Sequence, residues 1–327
     1  MQTEPYSGWR RPEVRLLVMA VAWPLSLSTW MALINNFAVE RAAFDGADMG
    51  ILQSVREIPG FLAFTFVALL FLLREQTLAI IMLLVLSAGV ALTGLFTSFT
   101  GLLMTTVIMS TGFHYFETAT QSLALQWSSR EQAPIVIGRM IAAASGASIV
   151  AFALVWLGLQ VFDLDFAIIF AVAGGSTAVA ASLAFPRFKV DTEQRRELFL
   201  RKRYWLFYLL TFFNGARRQI FIVFAVFLMV EKFGLSAANL TLLLLFNHII
   251  NTFLAPRIGR FIAHFGERRS LTLEYIGLIG VFIAYGLVEN VWIAGGLYIA
   301  DHLFFAMAMA LRTYFGKIAD PRDIAPT

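Results

Sequence analysis

Ten long apolar runs separated by short polar segments organise this chain. They cover residues 14–38, 48–73, 77–97, 101–125, 134–159, 163–185, 204–230, 237–262, 271–289 and 292–315. Each is close to the ~20 residues that cross a hydrocarbon core of ~30 Å at ~1.5 Å per residue. The runs lack the ten-residue alternation of barrel strands, so each is expected to be a helix. The predicted fold class is an all-α membrane protein, a bundle of about ten transmembrane helices.

Composition agrees with that pattern. Hydrophobic residues make up 59% of the chain and charged residues 14%, against ~45–50% and ~25% in soluble proteins. Mean hydropathy is +0.75. Such a chain needs lipid as its solvent. The net charge of +4 would suit nucleic acid, but the Lys and Arg side chains lie in short segments between apolar runs, where topology and anionic lipid explain them better. Nucleic acid is therefore excluded as a partner, and membrane lipids are expected instead. The absence of cysteine removes disulfides, thiolate metal sites and Cys nucleophiles. The first dozen residues, with Tyr6, Trp9, Arg10 and Arg11, lead straight into the first run without a small-residue cleavage site. They predict a retained first helix, not a signal peptide.

Charge also orients the bundle. Of the 25 Lys and Arg residues, 20 fall in alternate segments on one side, namely the N-terminus and those around 74, 126–139, 186–203, 256–270 and 312–322. Only Arg41 and Lys232 lie on the other side, and Arg56, Arg217 and Arg218 lie within runs. The positive-inside rule then places both chain ends in the cytoplasm, with the plasma (inner) membrane as the expected location. The stretch 186–203, rich in arginine, reads as a basic cytoplasmic linker. It divides a six-helix bundle, 1–185, from a C-terminal bundle, 204–327, with four helices. The second and eighth runs can be superposed, Arg56 and Glu57 on Asn247 and His248 and Gly60 on Asn251, as a parallel internal repeat would require.

The segment Pro256–Arg269 carries Gly259, Arg260, Gly266, Arg268 and Arg269 in a spacing that resembles the cytoplasmic signature of the major facilitator superfamily. Ala263 stands where that family has Asp, and His264 where it has a basic residue. The stronger copy after the second helix is reduced here to Arg74–Thr77. The resemblance implies a major-facilitator-like fold of twelve helices. Ten are present, and Lys317–Thr327 looks like a loop entering another span, so two C-terminal helices are expected to be missing. A ten-helix chain of two inverted five-helix repeats is the alternative, against which the linker after the sixth run argues. In the family the signature loop helps to gate the transporter. Here Gly259 and Gly266 would permit close approach and a tight turn, with the arginines on headgroups. A basic loop serving topology alone is the competing reading.

Ionisable groups inside a membrane are costly and face a partner or a cavity. Glu57, Glu117 and Asp301, Arg56, Arg217 and Arg218, and His114, His248 and His302 fall within the runs. In the fourth run His114, Glu117 and Gln121 share one helical face. In the seventh, Asn214 lies beside Arg217 and Arg218. The candidate solute-binding set is Arg217, Arg218, Asn214, Asn247, His248, Asp301 and His302. The candidate proton-coupling set is Glu117, His114, Arg56 and Glu57. Two readings remain open. The charges form a closed salt-bridge network, or the arginines offer planar, permanently charged donors to an anionic solute while a carboxyl near a histidine exchanges protons.

No phosphate-cradling Gly loop, His-Glu-x-x-His or nucleophile elbow is present, and no soluble region could hold a nucleotide-driven motor. No cofactor and no metal are expected, and the chain is not read as an enzyme. The functional expectation is a monomeric secondary active transporter of a small solute, anionic or zwitterionic and proton-coupled, working by alternating access. The alternatives are a non-transporting membrane sensor or partner subunit on the same fold, and, less favoured, a membrane-embedded enzyme acting on lipid.

Overall fold

A computed structural model describes residues 12–128, 133–184, 202–308, 310, 311 and 314. Most of the basic linker (186–201) and the tail Lys317–Thr327 lie outside the described residues. Ten helical segments follow the ten runs. They are α1 Pro12–Ala42, α2 Gly46–Phe61, α3 Glu75–Thr93, α4 Phe99–Gln126, α5 Ala133–Gln160, α6 Phe166–Ala184, α7 Trp205–Glu231, α8 Ala237–Phe265, α9 Glu267–Leu287 and α10 Val291–Ala306. Among the described residues, eight segments are long and apolar enough to cross a membrane. The other two are α10, which is shorter, and α4, whose 28 residues are more polar.

Local chemistry sets several boundaries. Pro12 opens α1, where its missing N–H has no intrahelical partner to lose. Asp45 and Asp48 form a reciprocal capping box at the start of α2. Ser98 caps α4 through the Gly101 N–H at 3.2 Å. Asn290 caps α10 through the N–H groups of Trp292 and Ile293. The second run does not stay a regular α-helix. After Pro59 and Gly60 it tightens into a 3-10 segment, Leu62–Thr65, before one more helical turn at Phe66–Leu69. Tyr115 on α4 stands at this break, its hydroxyl donating to the Leu62 carbonyl and contacting the Thr65 hydroxyl.

One correction concerns the signature segment. It was expected as a loop, but α8 continues through Phe265, and the whole connection to α9 is Gly266 with φ +83°. Only glycine adopts that conformation without strain, so the tight turn is real. The close approach expected at Gly259 is not found among the described residues, where a Cβ would meet nothing within 4 Å. Arg260, Arg268 and Arg269 are exposed.

The chain divides into two compact units, one of residues 1–196 with 237–242 and one of 197–236 with 243–327. In the first, α1 is buried almost all round from Ser26 to Ala38. It packs on α5 and α6, while α3 packs on α4 and α6. The helices come close where side chains are absent. A Cβ on Gly112 would strike the Leu86 backbone, one on Gly89 the Met109 backbone, and one on Gly174 the Ser87 carbonyl. Short hydroxyl links tie the same helices. Ser87 donates to the Gly174 carbonyl at 2.7 Å, Ser28 to Ser148 at 3.0 Å, and Ser26 to Thr177, which passes its own proton to the Ala22 carbonyl at 2.9 Å. With no hydrophobic force between helices in lipid, small residues and such bonds are what hold a bundle together.

In the second unit α7, α9 and α10 pack together. Gly277 on α9 lies against the Phe304 ring of α10. Lys232, just after α7, donates to the Val288 carbonyl at 2.8 Å and so serves the C-terminal end of α9. The outward side of α9 shows Leu273, Ile276, Ile279, Ile283 and Leu287 at helical spacing, an apolar stripe suited to acyl chains.

Candidate functional site

In the first unit the polar residues of α2 and α4 meet. Arg56 reaches Glu57 Oε1 through both Nε, at 3.0 Å, and Nη2, at 2.7 Å. Its guanidinium lies 5.8 Å from the centre of the Trp30 ring. Ser110 on α4 donates to the Arg56 carbonyl. One turn further along, the His114 ring occupies the space a Cβ on Gly60 would need, at 2.8 Å, and Glu57 and Arg56 are its electrostatic neighbours. Arg56, Glu57 and His114 are therefore brought together. Glu117 is exposed, and Gln121 on its own helix lies 3.4 Å from its carboxylate.

The second unit assembles a denser group from α7, α9 and α10. Arg217 donates through Nη2 to Asn214 Oδ1 at 2.8 Å and to Glu274 Oε1 at 3.0 Å. Glu274 has a side chain only 1% exposed, against 18% for Arg217. Asp301, buried on α10, lies within the electrostatic reach of Arg217 and Arg218. The Arg217 guanidinium lies 5.5 Å and that of Arg218 4.5 Å from the Phe305 ring centre. His302 Nδ1 lies 2.9 Å from the Tyr298 carbonyl and 3.9 Å from Asp301 Oδ2. Donation to Tyr298 would leave Nε2 as the acceptor. His248 on α8 acts electrostatically on His302. Asn247 is buried, and its carboxamide oxygen accepts from Asn251 within α8 at 3.0 Å.

Glu274 was missed in the reading of the sequence, which counted three acids inside the runs. It lies in the ninth run, as a further acid beside Glu57, Glu117 and Asp301. The residue was visible as the single acid between Leu271 and Leu287. Its partner, 57 positions earlier, was not. The cluster is crowded with unmet polar capacity. Glu274 Oε2, Asp301 Oδ1 and Arg217 Nε are buried without a hydrogen-bond partner among the described residues. Each such atom costs about 1–3 kcal/mol.

The comparisons with known proteins bear on this architecture. The sequence profile of the Major Facilitator Superfamily matches residues 16–325. The chain belongs to the Major Facilitator Superfamily. Among curated proteins none matches the sequence. Among solved structures, the nucleoside transporter NupG shares the fold with a TM-score of 0.74 at 14% identity, covering 96% of this chain and 86% of that one. A bacterial homologue of the human lysosomal transporter Spinster, inward-facing and occupied, gives 0.76 at 15% identity over 98% of this chain and 77% of that one. A D-xylose–proton symporter gives 0.64 at 11% identity, over 96% and 84%. The family and its fold make this facilitator-family chain a membrane transporter and not an enzyme, and these identities say nothing about its solute.

Proposed function

We propose that this facilitator-family protein is a monomeric secondary active transporter of a small anionic or zwitterionic solute, coupled to protons. It works by alternating access of the halves 1–185 and 204–327 in the plasma (inner) membrane, with both ends in the cytoplasm. The observation that carries this reading is the meeting of Arg217 and the exposed Arg218 with the buried acids Asp301 and Glu274, from three helices. Guanidinium groups shielded from bulk water are strong, directional donors to carboxylate or phosphate. Arg217 is engaged by Glu274 and Arg218 lies over the Phe305 ring, and the two are the candidate contacts for an anion. The His114, Arg56 and Glu57 group supports a place for proton exchange in the first unit, and the asymmetry of basic segments supports the orientation. The structural relatives are named for a nucleoside and for D-xylose with a proton, two neutral solutes of different shape, so they do not choose among substrates.

The test is a thermal-shift screen of the purified full chain against organic anions, zwitterions, sugars, nucleosides and organic cations. A specific ligand at about 100 times its Kd adds roughly 2.7 kcal/mol of apparent stability. Stabilisation by an anion or zwitterion that is lost in Arg218→Ala supports the reading, and uptake into proteoliposomes under a pH gradient then tests the coupling. Stabilisation by neutral or cationic ligands alone, unchanged in Arg217→Ala and Arg218→Ala, overturns the anionic assignment.

A further inference from the structure

A further buried carboxyl lies in the first unit, at the membrane face that carries the basic segments. Glu75 is the first residue of α3 and is 2% exposed. Gln126, in the last turn of α4, donates from Nε2 to Glu75 Oε2 at 2.6 Å, and to Ser122 Oγ at 2.8 Å. Both amide hydrogens of Gln126 are thereby used. Two atoms of this pair remain buried without a hydrogen-bond partner among the described residues, Glu75 Oε1 and Gln126 Oε1. Both are acceptors. With an ionised carboxylate the pair has no hydrogen to place between them.

One proton resolves both. A carboxylic acid and a primary amide form a ring of two hydrogen bonds, amide N–H to acid carbonyl and acid O–H to amide carbonyl. The first bond is present, and the two orphaned oxygens are the two ends of the second. We propose that Glu75 and Gln126 form a proton-binding site, in which Glu75 is held as the neutral acid and donates to Gln126 Oε1. The site closes α3 onto α4 at the basic face, and loss of its proton opens that junction.

Among the described residues no counter-ion displaces this reading. On α3 itself the neighbouring charge is Arg74, which is exposed. On α1, packed against α3, the charged groups at this end are Glu13 and Arg15, and Glu13 pairs with Arg139 of α5. Beside Glu75, α4 presents Ser122 and Gln126, and the final turn of α6 is Ala181–Ala184, none of them ionisable. The N-terminus of α3 favours a negative charge at its first residue. That end-of-helix interaction and the side-chain bonds from Ser122 and Gln126 stand against the burial of the carboxyl and two buried acceptors left without donors. The proposal is independent of the transport assignment.

The experiment is infrared difference spectroscopy of the full chain in nanodiscs of neutral lipid, titrated from acid to alkaline pH, with Glu75→Gln alongside. The expected result is a protonated-acid carbonyl band at neutral pH that is missing in Glu75→Gln and still present in Glu274→Gln. Glutamine at 75 can donate an N–H to Gln126 Oε1 and so preserves the ring. Melting supplies the second readout. A carboxyl folded as the acid holds a proton that the unfolded chain releases, so stability falls as pH rises. Wild type should lose stability on the alkaline side, and Glu75→Gln should keep the acid-side midpoint throughout. An acid band of equal strength in wild type and Glu75→Gln overturns the proposal, as does a variant destabilised equally at every pH. Should Glu75→Gln not accumulate, Gln126→Leu decides. A shift of the band to the frequency of an acid without its amide partner supports the site, and an unmoved band refutes it.

Discussion

Two arginine–glutamate pairs, one in each unit, use the same chemistry in opposite settings. Arg56 and Glu57 are adjacent in sequence and 2.7 Å apart, and the Glu57 side chain is 42% exposed. Arg217 and Glu274 come from different helices, and Glu274 is closed in. The first pair is local and open on its Glu57 side, so loss of the buried Arg56 strands no buried carboxylate. The second is long-range and shut. Around it the unit depends on charge, whereas the first unit is tied mainly by hydroxyls and bare glycine contacts. The described residues thus form one tightly packed unit and one whose core is polar and charged.

The sharpest way to break this comparison is Arg217→Ala. It leaves two buried acids, Glu274 and Asp301, without their shared cation. Removing one partner of a buried pair costs about 3–5 kcal/mol, and a melting curve of the detergent-purified protein should show a loss of that order. Glu274→Ala should cost less, because Asp301 remains within the field of Arg217. The double change Arg217→Met with Glu274→Leu should recover most of the stability, since an apolar pair strands no charge. If the double variant is as unstable as Arg217→Ala, the pair is not the unit that matters.

The next effect belongs to the packed unit. In Gly112→Ala the new methyl group meets the backbone of Leu86 and Met82, which cannot rotate away. Overpacking of this kind costs about 1–3 kcal/mol. Gly277→Ala is the counterpart in the charged unit, where the obstacle is the Phe304 ring, a side chain free to change rotamer. It should melt closer to wild type than Gly112→Ala. The reverse order would mean that Phe304 is locked and that the α9–α10 contact is as rigid as α3–α4.

How much of this was legible in the sequence follows from the range of each interaction. Run length alone located all ten helices, because a span must satisfy its backbone internally and needs a fixed number of apolar residues. Boundaries moved by a few residues where caps such as Asp45 and Asn290 decide them. The break at Leu62–Thr65 had its signal in Pro59 and Gly60, yet hydropathy is blind to it. The extension of α8 through Phe265 was hidden because its arginines and histidine look like a loop by charge. At the candidate site, Arg56 with Glu57 could be read from adjacency, and Arg217 with Asn214 from their three-residue spacing. Glu274 with Arg217 and Glu75 with Gln126 could not, being 57 and 51 positions apart. Only the packing of helices brings such partners together.

The smallest expected effect tests the open pair. Glu57→Gln keeps the side chain's length and removes its charge, leaving Arg56 beside the Trp30 ring and bound through its carbonyl to Ser110. A pair that water reaches contributes about 0–1 kcal/mol and weakens with salt. The melting midpoint should therefore shift little in Glu57→Gln, and the shift should shrink further as ionic strength is raised. A loss as large as that of Arg217→Ala, insensitive to salt, would mean that Glu57 is walled off from water in the membrane. Charge facing lipid or a closed pocket is costly enough to demand a partner, so Arg56 and Glu57 would then be a second buried pair. The contrast between the units would collapse, and the proton-exchange role proposed for Arg56, Glu57 and His114 would need an access path other than direct contact with water at Glu57.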